Sequence, residues 1–228
     1  MAEYLTLVGR NGIILNSDKF SFGEDTVDWA GIRITKDKVQ PLSEHIKAIR
    51  EFPTPVNITD MRSYWALVNQ VSPYYCIRPH LEPFRELLKK NTPWYWDGVL
   101  QQLFEESREH IANEVLEGIH LIDKSRWTAV CPDWSKVGVG YFMSQKYCTC
   151  LEITPICCNG GWKVCMVGSS FNSPAEANYA PIEGECLGVA SSLHKTRYYT
   201  QGCDKLLVCT DHKPLLGVLN DREMSSMD

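Results

Sequence analysis

The spacing of apolar residues changes near residue 42 and again near residue 119 of this chain of 228 residues. Between residue 42 and about residue 116 they recur every three or four positions, as at Leu42, Ile46 and Ile49, which predicts amphipathic helices. After Ile119 they form short runs rich in β-branched and aromatic residues between turn residues, which predicts strands. We therefore predict an α+β fold in which a small helical region precedes a sheet.

The helical region is bounded by recognisable stop and start residues. Pro53 and Pro55 end a helix that begins near residue 42, and Asn57 or Thr59 can cap the next one. Further helices are expected over 81–90 and 97–116, the last with Asp97 as a candidate N-cap. The residues before this region predict a short helix that ends near Gly9 to Gly12, and then extended segments at 19–22 and 27–34 joined by a turn at 23–25.

The strand region predicts a mixed sheet. Residues 127–133, 137–146 and 162–168 form an expected antiparallel meander. A helix from Pro181 to about residue 199 follows, with proline at an acceptable first position, and then come a strand at 205–210 and a helix near Pro214. The predicted order is β-β-β-α-β-α.

Composition limits the compartment and the cysteine chemistry. The first sixteen residues have neither a basic start with an apolar core nor a run of 18 apolar residues, so we expect a soluble intracellular protein, cytoplasmic or nuclear, with no membrane partner. A reducing compartment keeps thiols free, so we predict that the ten cysteines form no structural disulfide.

Five of the cysteines, Cys148, Cys150, Cys157, Cys158 and Cys165, fall within eighteen residues. This density suggests a zinc site, although the C-x-C and C-C spacings differ from the usual C-x₂-C pair. A long hairpin with buried thiols is the other interpretation.

Charge is unevenly distributed along the chain. The formal net charge is -5, but residues 31–90 carry ten basic against six acidic side chains, a local balance of +4 against -9 for the remainder. Phosphate-binding surfaces need such basic residues, yet a solvated helix face has the same composition. Charge alone does not decide between these alternatives.

Three carboxylates occupy informative positions: Asp133 and Asp211 at the ends of predicted strands, and Glu185 in the first turns of the long helix. Strand ends and a facing helix can meet, and clustered carboxylates form a natural site for Mg²⁺ or Mn²⁺. Helical periodicity places Glu183 and Glu185 on opposite flanks of the expected buried stripe, so it does not choose between them. The predicted stripe consists of Ile182, Cys186, Val189, Ala190 and Leu193.

Ordered motifs over nearly the whole chain resemble the polymerase polyprotein of gypsy-type LTR retrotransposons. GIILNSDKFSF and VDWAGIRIT look like the end of the reverse transcriptase palm, KAIREFPTPVNITDMRSYWALVNQVSPYY looks like the thumb, and FRELLKKNTPWYWD is similar to the connecting segment. CPDWSKVGVGYFMSQ, AEANYAPIEGECLGVASSLHKTRYYTQGC and CTDHKPLLGVL match successive ribonuclease H motifs. The resemblance implies a palm end at 1–40, a helical thumb and connection at 41–117, and a ribonuclease H-like domain at 118–228.

The resemblance also implies site residues. Asp133 corresponds to the first catalytic carboxylate and Asp211 to the third, and the family pattern selects Glu185 over Glu183 as the second. Gly188 stands where the family usually has alanine, and Ser169-Ser170 replaces a usual Ser-Arg.

Two family features are missing from the sequence. It contains no Asp-Asp dipeptide, so it lacks the polymerase active site, and Asp228 matches no motif where the family has a further strand and a fourth catalytic aspartate. We therefore expect an incomplete, C-terminally truncated ribonuclease H-like sheet whose last strand is an uncovered edge, with weak hydrolysis at most.

Two classes of function follow from the resemblance. In the first, the chain is a retrotransposon-derived endonuclease fragment that holds two Mg²⁺ or Mn²⁺ ions through Asp133, Glu185 and Asp211 and cleaves the RNA of an RNA-DNA hybrid. In the second, it is a non-catalytic remnant that binds a duplex backbone through basic residues, with the rest of the polyprotein as a further partner. The residues expected to contact nucleic acid are Lys38, Lys47, Arg50 and Arg62.

Overall fold

The computed structural model describes residues 2–16, 18, 23–115 and 118–220. The helices are α1 Ala2–Arg10, α2 Ser43–Arg50, α3 Ile58–Gln70, α4 Arg78–Leu81, α5 Gly98–Glu114, α6 Pro181–Thr200 and α7 Lys213–Asn220. The strands are β1 Thr26–Trp29, β2 Ile32–Thr35, β3 Lys38–Pro41, β4 Ile119–His120, β5 Thr128–Trp134, β6 Gly138–Lys146, β7 Trp162–Phe171 and β8 Leu206–Val208. No helix in the described ranges has the length and apolar character needed to cross a bilayer.

A small antiparallel sheet, in the order β1-β2-β3-β4, precedes the helices. The single extended segment predicted over 27–34 is a hairpin, because Ala30 and Gly31 have φ angles of 49° and 84° and reverse the chain. Alanine rarely adopts this left-handed conformation, so the turn was missed. The predicted segment at 19–22 lies outside the described residues.

The helical region has its own apolar core, built mainly by α2, α3 and α5. Asn57 caps α3, since its Oδ1 accepts hydrogen bonds from the backbone N–H groups of Thr59 and Asp60 at 2.8 and 2.9 Å. Asp97 caps α5 in the same way through Leu100 at 2.8 Å. These two caps confirm the predicted starts of both helices.

The helix predicted over 81–90 is wrong. The chain forms the single turn α4 and then two 3₁₀ turns, Glu82–Phe84 and Glu86–Leu88. Pro83 cannot donate a backbone hydrogen bond, and its ring prevents the α-helix from continuing through it. The apolar residues of this segment still enter the core, where Phe84 packs edge-on against Phe104 with ring centroids 6.2 Å apart.

The second sheet has the order β7-β6-β5-β8, with β5 and β8 parallel and the other pairs antiparallel. This arrangement confirms the predicted α+β class and mixed sheet. Buried Gln145 ties the chain entering the sheet to β6, because its side-chain oxygen accepts from the Asp123 N–H and its side-chain amide donates to the Asp123 carbonyl, both at 2.9 Å. Within the described ranges, β8 forms one edge of the sheet.

Helix α6 lies across β5. Its predicted buried stripe is only partly right: Val189 is buried, Cys186 and Leu193 are half-buried, and Ile182 and Ala190 are exposed. The face that packs on the sheet instead carries small residues, Gly184, Gly188, Ser192, Thr196 and Thr200. Glycines at this face allow the helix backbone to approach the bulky Trp134 ring, which an apolar stripe would have kept at a distance.

Candidate divalent-cation and nucleic-acid site

The parallel pairing of β5 with β8 brings two aspartates to the same edge of the sheet. Val130 and Val208 are register partners, and the Cys209 N–H donates to the Val130 carbonyl at 2.9 Å. Asp133 and Asp211 each lie three positions beyond this pair, and both are exposed. Because neighbouring parallel strands end at the same edge of a sheet, Asp133 and Asp211 lie on adjacent chain segments at that edge.

Glu185 joins this edge from α6. A Cβ atom added at Gly184 would lie 2.3 Å from the Trp134 ring, so the helix rests directly on the residue that follows Asp133. Burial raises the pKa of Glu185, and the charges of Asp211 and Asp133 raise it further, while His212 acts in the opposite direction. Glu185, in the second turn of α6, is therefore close enough to both aspartates for their charges to raise its pKa.

Glu183 has a different role in the structure. Its exposed carboxylate accepts a hydrogen bond from the Ala180 N–H at 2.9 Å and so caps the first turn of α6. The pKa of Glu185 responds to the charges of Asp211 and Asp133, whereas the Glu183 carboxylate caps the helix.

The three carboxylates fit a divalent cation in chemistry but are not tightly converged. Oε2 of Glu185 is buried without a hydrogen-bond partner, which is costly unless a positive group can compensate it. Carboxylate oxygens are the ligands that Mg²⁺ and Mn²⁺ prefer. However, their oxygens do not all lie within 4.8 Å of one another. Among the described residues, four cysteines meet that criterion for a possible metal site.

A cavity of about 250 Å³ lies between the helical region and the sheet, beside Asp133. Residues from both sides line it, among them Cys76, Arg78, Glu82, Ser169 and Ser170. Sequence reasoning counted Arg78 in the basic balance but did not select it as a site residue. Its position three residues after the thumb-like motif that ends at Tyr75 gives no signal of this cavity.

Two arginines stack on one aromatic ring next to this cavity. The guanidinium carbons of Arg78 and Arg85 lie 5.1 and 4.5 Å from the ring centroid of Phe171. Neither arginine forms an ion pair with any acid in the described part of the chain. Burial and then the neighbouring charge of Arg85 lower the pKa of Arg78. Two adjacent cations without an acidic partner make a suitable place for a phosphate.

The basic residues expected to contact nucleic acid are less available than the sequence suggested. Arg50 lies 3.7 Å from Glu109 and donates to Asn113 at 2.9 Å, and Lys47 lies 4.0 Å from Glu51. Lys38 is half-buried on β3, whereas Arg62 is exposed on α3 with no ion pair to a described residue. Their role in binding stays a prediction.

The structure divides the five clustered cysteines. Cys148, Cys150, Cys157 and Cys158 meet in the loop between β6 and β7. Cys165 lies apart from them, buried in the core of the sheet, where it donates to the Lys163 carbonyl at 3.5 Å.

Residues 123–227 match the family model described as the RNase H-like domain found in reverse transcriptase. The second sheet and its helices have the RNase H-like fold. Among curated proteins, the Tf2-3 and Tf2-4 transposon polyproteins of Schizosaccharomyces pombe are each 26% identical to this chain over 226 residues. Those matches cover 97% of this chain but only 16% of each polyprotein.

Solved structures of foamy viral protease-reverse transcriptase resemble the chain over nearly its full length. The complex with dsDNA has a TM-score of 0.73 at 15% identity, and covers 99% of this chain and 44% of that one. The complex with RNA/DNA hybrid has a TM-score of 0.69 at 17% identity, and covers 99% of this chain and 31% of that one. The likeness extends beyond the RNase H-like domain to the helical region, so both regions follow one known fold.

Proposed function

We propose that the RNase H-like domain binds an RNA-DNA hybrid and slowly hydrolyses its RNA strand, using Mg²⁺ or Mn²⁺ held by Asp133, Glu185 and Asp211. The observation that carries this proposal is the position of Glu185, which shares an electrostatic environment with both aspartates and has a buried oxygen without a partner. A divalent cation would satisfy that oxygen and relieve the repulsion among the three charges.

The residues of the site would have different roles in such a reaction. When bound, two divalent cations supply an activated water and stabilise the leaving oxygen of a phosphodiester. Asp133 and Asp211 are exposed and approach from the strand ends, while Glu185 is fixed by the packing of α6 on Trp134. Arg78 and Arg85 would position a backbone phosphate beside Asp133.

The relatives support a role within a longer polyprotein. The chain spans 16% of the transposon polyproteins that it matches, and between 31% and 44% of the foamy viral chains. We propose that residues 1–40 correspond to the end of a palm, 41–117 to a thumb and connection, and 118–228 to the ribonuclease domain. A cytoplasmic or nuclear location stays a prediction.

The test of this function is cleavage of an end-labelled RNA-DNA hybrid. We expect slow cleavage of the RNA strand with Mg²⁺ or Mn²⁺, and its loss in Asp133→Asn and Glu185→Gln, with the Glu183→Gln variant as the matched control. No cleavage by the wild-type chain, or equal cleavage by Asp133→Asn, would overturn the proposal.

A second function, binding without cleavage, is favoured by a separate observation. Arg78 and Arg85 stack on Phe171 with no acid paired to them in the described ranges, while the carboxylates are not converged to within 4.8 Å. In this case the chain would bind hybrid in a salt-dependent manner and leave it intact. Binding by the wild-type chain in a reaction that yields no product distinguishes this function from the first.

A further inference from the structure

The loop of residues 147–161 between β6 and β7 lacks the features that normally order a long loop. It contains no helix or strand, and its apolar residues Leu151 and Ile156 are 98% and 90% exposed. Loops of this length without secondary structure are uncommon in compact domains, and those that exist usually have a function. Since the loop has no apolar core of its own, some other interaction must hold its backbone in place.

Four cysteine sulfurs meet inside this loop. All candidate ligand atoms of Cys148, Cys150, Cys157 and Cys158 lie within 4.8 Å of one another. The Sγ atoms of Cys148 and Cys157 are 3.5 Å apart, and those of Cys157 and Cys158 are 4.0 Å apart. A tetrahedral zinc ion with Zn–S bonds of about 2.3 Å places its sulfurs about 3.8 Å from one another. The observed separations lie on either side of that value.

The backbone around the sulfurs is built to bring them together. The N–H groups of Tyr147 and Cys148 both donate to the Gly161 carbonyl, at 2.8 and 3.2 Å, which joins the two arms of the loop. A Cβ atom at Gly161 would lie 2.3 Å from Sγ of Cys158 and 2.9 Å from Sγ of Cys148. The absence of a side chain at Gly161 therefore lets the chain pass directly beneath the cysteine cluster.

Charge near the cluster is also suitable. Zinc bound by four thiolates carries a formal charge of about -2, which nearby cations stabilise. The Lys146 ammonium group donates to the Cys150 carbonyl, and Nζ of Lys163 lies 3.9 Å from the position that a Cβ atom would take at Gly160. Two lysines at the base of the loop can thus offset the charge of the bound ion.

We propose that Cys148, Cys150, Cys157 and Cys158 form a structural zinc site that orders the loop between β6 and β7. The sequence spacing obscured this site, since its ligands come in two close pairs from opposite ends of the loop rather than as C-x₂-C pairs. Four protein ligands leave no open position, so the ion would stabilise the fold and take no part in hydrolysis. The site is independent of the carboxylates.

The test is the zinc content of the full chain, purified in a non-chelating reducing agent and dialysed against metal-free buffer. We expect about one zinc per chain, as a closed four-cysteine site holds a single ion. Cys158→Ser should lower this content strongly; Cys158 is exposed, so the substitution does not disturb the core. Cys203→Ser, outside the cluster, and Asp133→Asn, in the carboxylate site, should retain the zinc of the wild type.

Cobalt(II) reconstitution provides a second measurement on the same proteins. We expect a sulfur-to-metal charge-transfer band of four-thiolate intensity in the wild type and a weaker band in Cys158→Ser. A wild-type chain without stoichiometric zinc, equal zinc in Cys158→Ser, or a disulfide among these cysteines in the purified reduced protein would each overturn the proposal.

Discussion

Gly184 and Gly188 lie on the same face of α6 but differ in the space around them. A Cβ atom at Gly184 would lie 2.3 Å from the Trp134 ring, whereas one at Gly188 would lie 3.5 Å from the nearest atom, which is ordinary contact. From the sequence, we noted only that Gly188 stands where the related family usually has alanine. At the scale of single residues, the sequence does not reveal which glycine is required, because that depends on how closely the helix approaches the sheet.

This difference predicts opposite effects of alanine at the two positions. Gly188→Ala should raise the free energy of unfolding by up to about 1 kcal/mol, since alanine is the better helix former. Gly184→Ala should lower it by roughly 1–3 kcal/mol, because the helix must move away from Trp134. Urea denaturation of both variants measures the effect, and equal stabilisation by the two alanines would contradict the packing of α6 described here.

Glu185 predicts a pH dependence in the absence of divalent cations. Its pKa is raised in the folded protein, so the protonated form favours folding; this contribution is fully present below the unfolded pKa of about 4.3 and is lost as the pH rises through the folded pKa. Glu185→Gln, which mimics the neutral acid, should therefore be more stable than the wild type at pH 7, and the difference should shrink toward pH 4.

The control for this effect is Glu183→Gln. The Glu183 carboxylate lies at the helix N-terminus, where negative charge is favourable, so the substitution should lower stability at pH 7 rather than raise it. Urea denaturation in buffer without Mg²⁺ or Mn²⁺ measures both variants. A Glu185→Gln variant less stable than the wild type at pH 7 would show that the carboxylate is not under strain.

At the scale of elements, the sequence predicted helix starts and strand positions well where a local signal, such as an N-cap residue, determines the structure. Asn57 and Asp97 cap helices as predicted, and the strands 128–134, 138–146 and 162–171 lie close to their predicted positions. The helix predicted over 81–90 overlooked a local signal, since Pro83 interrupts it. The small-residue face of α6, by contrast, depends on how closely the helix approaches Trp134, which no local pattern encodes.

The N-cap of α3 predicts how substitutions of Asn57 change the stability of the fold. Asn57→Ala should lower the free energy of unfolding by about 1 kcal/mol, because the N–H groups of Thr59 and Asp60 lose their acceptor. Asn57→Gly should lower the free energy of unfolding by only about a few tenths of a kcal/mol, since glycine is itself favourable at an N-cap. Thermal or urea denaturation distinguishes the two, and equal losses would mean that the hydrogen bonds of the cap contribute nothing.

At the scale of the whole molecule, the helical region and the sheet meet at Phe171. The Trp65 ring lies 6.2 Å from that of Phe171, and Arg78 and Arg85 stack on the same ring. Family motifs in the sequence indicated Asp133, Glu185 and Asp211. Nothing in the sequence indicated this contact, because Phe171 is far along the chain from Trp65, Arg78 and Arg85.

The arginine pair predicts a salt-dependent effect on binding. Arg78→Gln should weaken binding of RNA-DNA hybrid and reduce the slope of log affinity against log salt by about 1, as expected for the loss of one phosphate contact. Arg33→Gln is the matched control, since Arg33 is already paired with Asp28 at 2.8 Å. Fluorescence anisotropy over a range of salt concentrations measures the slope, and an unchanged slope in Arg78→Gln would remove the arginine from the proposed interface.

We propose that Asp133, Glu185 and Asp211 form one divalent-cation site. Calorimetric titration with Mn²⁺ tests it directly, using Glu185→Gln and Glu183→Gln as a matched pair that differs by two positions on one helix. We predict that the wild type and Glu183→Gln bind Mn²⁺ with similar affinity, and that Glu185→Gln loses at least tenfold, about 1.4 kcal/mol of binding free energy. Equal Mn²⁺ affinity in Glu185→Gln and the wild type would contradict the claim.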